Sequence, residues 1–203
     1  MQKFISQTIL VILIILSSYS LLSAADKNYK IIKLVNEQVI TNYDLEQRLK
    51  IYSTLNSVNI NNENIEQLAK EMLSLMVDEK LQLEQILSYK ISVNEAEIIE
   101  YINRAYISNN TTLDDFMLII ENNNLDIDVL KKSIEIKLGW NQLSGNLYYR
   151  TSKISDIDLV NVMKDDPSLS KDDAINILLN RQINLRAKKF LRDLRSEANI
   201  ENR

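Results

Sequence analysis

The chain has 203 residues, 45% of them hydrophobic, with 24 basic and 28 acidic side chains and a formal net charge of −4. That length supports one well-buried core, and the acidic balance argues against nucleic acid as a partner. Zero Cys excludes a disulfide framework and zero His removes the commonest general base and transition-metal ligand, while two Gly and one Pro favour long helices over a turn-rich β-sandwich.

Residues 1–25 open on Lys3, continue through an apolar run from Ile9 to Leu22 and close on Ser23, Ala24 and Ala25. This is the pattern of a secretory signal peptide cleaved near Ala25. As a helix the run spans only about 21 Å, short of the roughly 30 Å of bilayer hydrocarbon, so a retained anchor is the weaker of two readings. Cleavage takes away Lys3 and no acid, which moves the net charge from −4 to −5.

From Ile31 the hydrophobic period is close to two. Ile31, Ile32, Leu34 and Val35, then Asn36 to Gln38, then Val39 and Ile40 predict a short hairpin about a polar turn. Thr41 and Asp44 form a capping box for a helix to about Leu55, with Leu45, Leu49 and Tyr52 on one face. A central helix is predicted from Ile65 to about Tyr89, carrying Leu68, Met72, Leu75, Met76, Leu83 and Ile86, with Leu73, Val77 and Leu81 as a second stripe.

Ser92 with Glu95 predicts the next box and a helix through Ile98, Ile102 and Tyr106, broken at Asn109 and Asn110. Thr112 with Asp115 caps a short helix holding Phe116 and Ile120. Asp126 caps a longer one with two stripes, Ile127, Leu130, Ile134 and Leu138 against Ile136, Trp140, Leu143 and Leu147, so that helix either sits in the core or lines a groove. Ser155 with Asp158 starts a segment ending near Met163, and Lys164 to Ser170 holds the only Pro. Ser170 with Asp173 opens a last helical region in which Asn184 either caps a second helix or marks a kink. The tail, Ala198 to Arg203, is placed to add a strand beside Lys30 to Val35.

No glycine-rich phosphate loop, G-x-S-x-G elbow or H-E-x-x-H pair occurs, so no enzyme chemistry, cofactor or small-molecule substrate is expected. Paired acids such as Asp78 with Glu79 read as solvated surface or caps, because adjacent helical residues point apart. The basic run from Arg181 to Arg195 reads as charge compensation at a helix C-terminus, with an anionic-lipid or acidic-partner site as the alternative. The candidate recognition surface is a set of Met and aromatic residues: Met72, Met76, Tyr101, Tyr106, Phe116, Met117, Trp140, Tyr148 and Tyr149. Each alone reads as core, but flexible Met and amphipathic aromatics on helices with wide apolar faces suit a promiscuous groove for unfolded polypeptide.

Several of these stretches carry a family resemblance. LVNEQVITNYDLEQRL at Leu34–Leu49, LMVDEKLQLEQ at Leu75–Gln85, ISVNEAEI at Ile91–Ile98, TTLDDF at Thr111–Phe116 and KISDIDL at Lys153–Leu159 resemble the N-terminal domain of SurA-type periplasmic chaperones. Ala174 to Ile200 resembles that family's C-terminal helix and final strand. The resemblance implies a mainly α fold, a helical bundle with a small N-terminal β-hairpin that pairs with a C-terminal strand. It implies residues 26–163 as the chaperone domain, 164–170 as the linker where the family places parvulin domains, and 171–203 as a C-terminal helix and strand docking on the first domain. A parvulin domain needs on the order of 100 residues and, in that family, active-site His, so the isomerase part is missing here. The implied function is ATP-independent holding of unfolded outer-membrane polypeptides in the periplasm, with the outer-membrane assembly machinery as a further implied partner. The alternatives are a dedicated assembly subunit docking one envelope partner and a membrane-anchored relative.

Overall fold

The computed structural model describes residues 29–107 and 111–203. The signal-peptide reading of residues 1–25 and the helix break at Asn109 and Asn110 lie outside the described residues.

The hairpin forms from β1 (Ile31–Val35) and β2 (Gln38–Thr41). Its turn is tighter than the sequence suggests, because Gln38 already pairs with Val35 as part of β2. The cause is Asn36, which takes φ 50° in the left-handed region. That conformation costs most L residues about 1–2 kcal/mol and is tolerated by Asn. Asn36 then ties three segments: its N–H donates to the Asn199 carbonyl at 2.8 Å, its Oδ1 accepts from the Asn199 N–H at 3.0 Å, and its Nδ2 donates to Glu84 at 2.8 Å. Beside it, β3 (Ile200–Asn202) pairs antiparallel with β1, giving the sheet order β2-β1-β3. The isolated hairpin would be marginal in water. Here Val35 and Ile40 are fully buried on Met72, Met76, Val77 and Leu81, with Leu191, Ala198 and Ile200 closing the far side.

Among the described residues seven α-helices follow: α1 (Asn42–Asn56), α2 (Ile65–Ser88), α3 (Glu95–Tyr106), α4 (Leu113–Asn122), α5 (Ile127–Tyr148), α6 (Asp156–Asp165) and α7 (Lys171–Glu197). The Thr41/Asp44 and Thr112/Asp115 boxes form with both reciprocal hydrogen bonds, and Ser170 accepts from the Asp173 N–H at 3.1 Å. Three local expectations are corrected. The cap of α3 is Asn94 with Glu97, not Ser92 with Glu95: Asn94 accepts from the Glu97 N–H at 3.0 Å and Glu97 from the Asn94 N–H at 2.8 Å. Ile91 and Val93 are drawn onto neighbouring apolar clusters, which keeps the chain extended past Ser92. Ser155 caps α6 through the Ile157 N–H without a box to Asp158, and the helix runs on to Asp165. Asn184 does not cap a second helix, since α7 is one continuous helix of 27 residues.

The span from Ile31 to Arg203 is one compact unit with three buried clusters. One sits under the sheet. A second joins Ile51 of α1, Ile98 and Ile102 of α3, Phe116 and Ile120 of α4 and Leu130 and Ile134 of α5. The third joins Ile86 of α2, Ile136, Trp140 and Leu143 of α5 and Ala187 of α7. The two stripes of α5 therefore serve two different clusters, and this helix divides them. Gly139 lets it approach α2 closely: a Cβ there would stand 3.1 Å from the Ile86 Cδ1.

Candidate functional site

Helices α1, α2, α3, α5 and α7 surround a pocket of about 590 Å³. That is within the range of roughly 300–1,000 Å³ common for ligand sites. The positions of its lining residues follow from helical periodicity. On α5, Leu130, Ile134, Lys137, Asn141 and Ser144 recur at spacings of three and four, so one face of this helix forms a wall. Ile51, Tyr52 and Leu55 of α1, Met72 of α2 and Leu191 of α7 complete the apolar part.

The polar part is partly paired. Arg48 donates to Glu79 at 2.5 Å with both side chains largely buried. Burial raises the Glu79 pKa above its ordinary 4.5, and the Arg48 charge and hydrogen bond pull it the other way. Asp78 accepts from Arg195, which also reaches the Ser74 carbonyl at 3.4 Å and so ties the end of α7 to α2. Lys137 donates to the Tyr101 hydroxyl at 2.6 Å and stands 4.9 Å from its ring centroid. Among the described residues no group of His, Cys, Asp and Glu is arranged to hold a metal ion, and no helix is long and apolar enough to cross a membrane.

Of the nine residues singled out from the sequence, Met72, Tyr101, Tyr106 and Trp140 line this pocket. Trp140 stacks on Phe190 of α7 at 5.6 Å between centroids, and Tyr106 stacks on Phe116 at 5.7 Å. Burial, more than the neighbouring Tyr101, raises the Tyr106 pKa above 10. Phe116 and Met76 are instead buried in two of the clusters, 3% and 5% exposed. Met117 lies exposed on α4 and Tyr149 exposed beyond α5. Tyr148 is half-buried near Arg186, whose guanidinium carbon is 5.9 Å from the ring centroid, and burial raises its pKa. The sequence reading missed Ile51, Leu55, Ile134 and the polar residues Gln82, Asn141, Ser144, Asn184 and Lys188. A signal was present for Asn141 and Ser144: with Lys137 they form a polar row at helical spacing in a helix otherwise apolar on two sides.

No protein-family model matches the chain, and no curated protein matches it. Solved structures do match. One superposes with a TM-score of 0.50 and 16% identity over 85% of this chain and 98% of its own. It comes from work on the virulence factor PEB4 and the periplasmic protein Cj1289, two structurally related SurA-like chaperones in the human pathogen Campylobacter jejuni. The chain thus has a SurA-like fold: a mainly helical bundle with a small three-stranded antiparallel sheet.

Proposed function

We propose that this protein is an ATP-independent chaperone that holds unfolded outer-membrane polypeptides in the periplasm and has no prolyl isomerase activity. The observation that carries the reading is the pocket itself. It is built from five helices, it has an apolar wall that includes Met72, Ile134 and Trp140, and it opens in a fold like that of a SurA-like chaperone. Apolar surface of this kind attracts exposed side chains without directional demands, so many sequences bind weakly and leave again. The nine Met and aromatic residues are then not one surface. Met72, Tyr101, Tyr106 and Trp140 form the client site, and the remainder support it or lie elsewhere. Residues 1–25 act as the export signal, residues 26–163 supply most of the client site, and 171–203 close it through α7.

The test is the aggregation of two or more unrelated unfolded outer-membrane proteins, followed by light scattering, with Tyr101→Glu as the comparison. The native chain slows aggregation at low and at raised salt, and the variant, folded by circular dichroism, loses most of that effect. A protein that leaves every client's aggregation unchanged refutes the reading. A second reading, a subunit that docks one envelope partner, is favoured by Ile157 and Val160 of α6, which stand 73% and 64% exposed; tight capture of one folded partner without any holding activity selects it.

A further inference from the structure

One wall of the pocket is not explained by apolar burial. Asn141 and Ser144 lie on its α5 face and Asn184 on its α7 face. Helix α7 runs antiparallel to α5: Gln182 donates to the Lys153 carbonyl and Arg186 to Thr151 beyond the end of α5, while Phe190 lies on Trp140 further back. This sets Asn184 toward the C-terminal end of α5, the end that carries Asn141 and Ser144.

Ser144 is 4% exposed, and its Oγ is the one buried side-chain polar atom among the described residues without a hydrogen-bond partner. A helical Ser ordinarily satisfies itself on the preceding turn. Ser133, lining the same pocket on the same helix, does so by donating to the Leu130 carbonyl at 2.8 Å. Ser144 does not, and an unpaired buried hydroxyl carries a desolvation penalty that a partner inside the pocket would remove. The side-chain amides of Gln82, Asn141 and Asn184 have no partner among the described residues either.

Hydroxyl and amide share one property: each offers both a donor and an acceptor. The chemical group that matches such a row along its length is the peptide unit, with one N–H and one C=O per residue. We propose that Gln82, Asn141, Ser144 and Asn184 hydrogen-bond the backbone of an extended polypeptide whose side chains rest on the apolar wall beside Trp140. This rests on the chaperone reading and adds how the site tells unfolded from folded chain. A folded helix or sheet has already paired its peptide groups internally, so only extended segments satisfy this row.

The experiment uses a Trp-free nine-residue peptide of alternating aromatic and aliphatic residues, and the same sequence with alternate backbone amides replaced by esters. The replacement removes N–H donors and keeps every side chain. Trp140, the chain's single Trp, reports occupancy by its emission. The ester peptide binds about tenfold more weakly, the scale of one or two hydrogen bonds lost from a desolvated site. In Ser144→Ala and in Asn141→Leu, the second at an exposed position, the parent peptide weakens and the amide–ester difference shrinks to less than about twofold, as coupled groups require. Ligand-free Ser144→Ala melts no lower than the native chain, because the hydroxyl it loses was unpaired. Equal binding of both peptides, or an amide–ester difference unchanged in both variants, overturns this inference and leaves the chaperone reading standing. Failure of both peptides to bind at millimolar concentration overturns the chaperone reading as well.

Discussion

The two halves of α7 differ more than their shared helix suggests. From Ala187 to Leu194 it lies on α5 and α2, with Phe190 stacked on Trp140, Arg195 joined to Asp78, and the chain continuing into β3. Toward its N-terminus it buries Ala174, Leu178 and Ile183, and the helix it meets there, α6, has no buried side chain. There Ile157, Val160 and Leu185 are more than half exposed. A helix held on several sides opens with the whole fold, whereas a helix with no buried side chain, such as α6, opens locally at much lower free energy. A single unbroken helix can therefore join a rigid floor to a compliant arm.

Three measurements break or sharpen this contrast. The largest effect is expected at Leu143, 1% exposed in the cluster beneath the pocket. Leu143→Ala costs about 2–5 kcal/mol through lost burial and the cavity left behind, read as a lower urea midpoint. A cost under about 0.5 kcal/mol, the level of a surface change, would show that the floor is no more tightly held than the arm.

Next comes the Arg48–Glu79 pair in the same region. Burial raises the Glu79 pKa above 4.5 in the folded state against the pull of Arg48. A carboxyl with a raised folded pKa binds its proton more tightly folded than unfolded, so its contribution is full below 4.5 and declines as pH rises through the folded value. Denaturation of native protein and Glu79→Gln between pH 4 and 8 should therefore give a difference that grows in the variant's favour with rising pH. A difference independent of pH would mean that Arg48 cancels the cost of burial.

The smallest effect belongs to the arm. Ile157→Ser on α6 should change global stability by less than about 0.5 kcal/mol, and amide hydrogens of α6 should exchange faster than those of α5. A cost above about 1 kcal/mol would place Ile157 in a contact that its 73% exposure gives no sign of.

Local features were the legible part of this sequence. The boxes at Thr41/Asp44 and Thr112/Asp115 involve residues three apart, and nothing distant competes with them. Ser92/Glu95 and Asn94/Glu97 are equally good boxes on paper. The choice between them is made by where Ile91 and Val93 pack, which is a tertiary fact. The two stripes of α5 were readable as well, but not that each serves its own cluster. For the site, residue type indicated which side chains suit a client and could not indicate which of them face one another. Trp140 and Phe116 have the same apolar appeal, yet one lines the pocket and the other is sealed under Tyr106. Ser144 stood among many serines, and its unpaired hydroxyl became visible only once its neighbours were placed.

The pairing of β3 with β1 also sets an order of events during synthesis. Lys33 bonds Asn202 across a separation of 169 residues, and Val35 meets Ile200 in the same ladder. Helices α1 to α5 pack on one another without β3, but the central strand keeps one bare edge until that strand is made. A ribosome releasing this chain from the N-terminus therefore delivers the hairpin well before β3 can complete the sheet. Contacts of such long range are slow to form because loop closure precedes any reward. The sheet thus stays two-stranded until residues 200–202 are available to pair with β1.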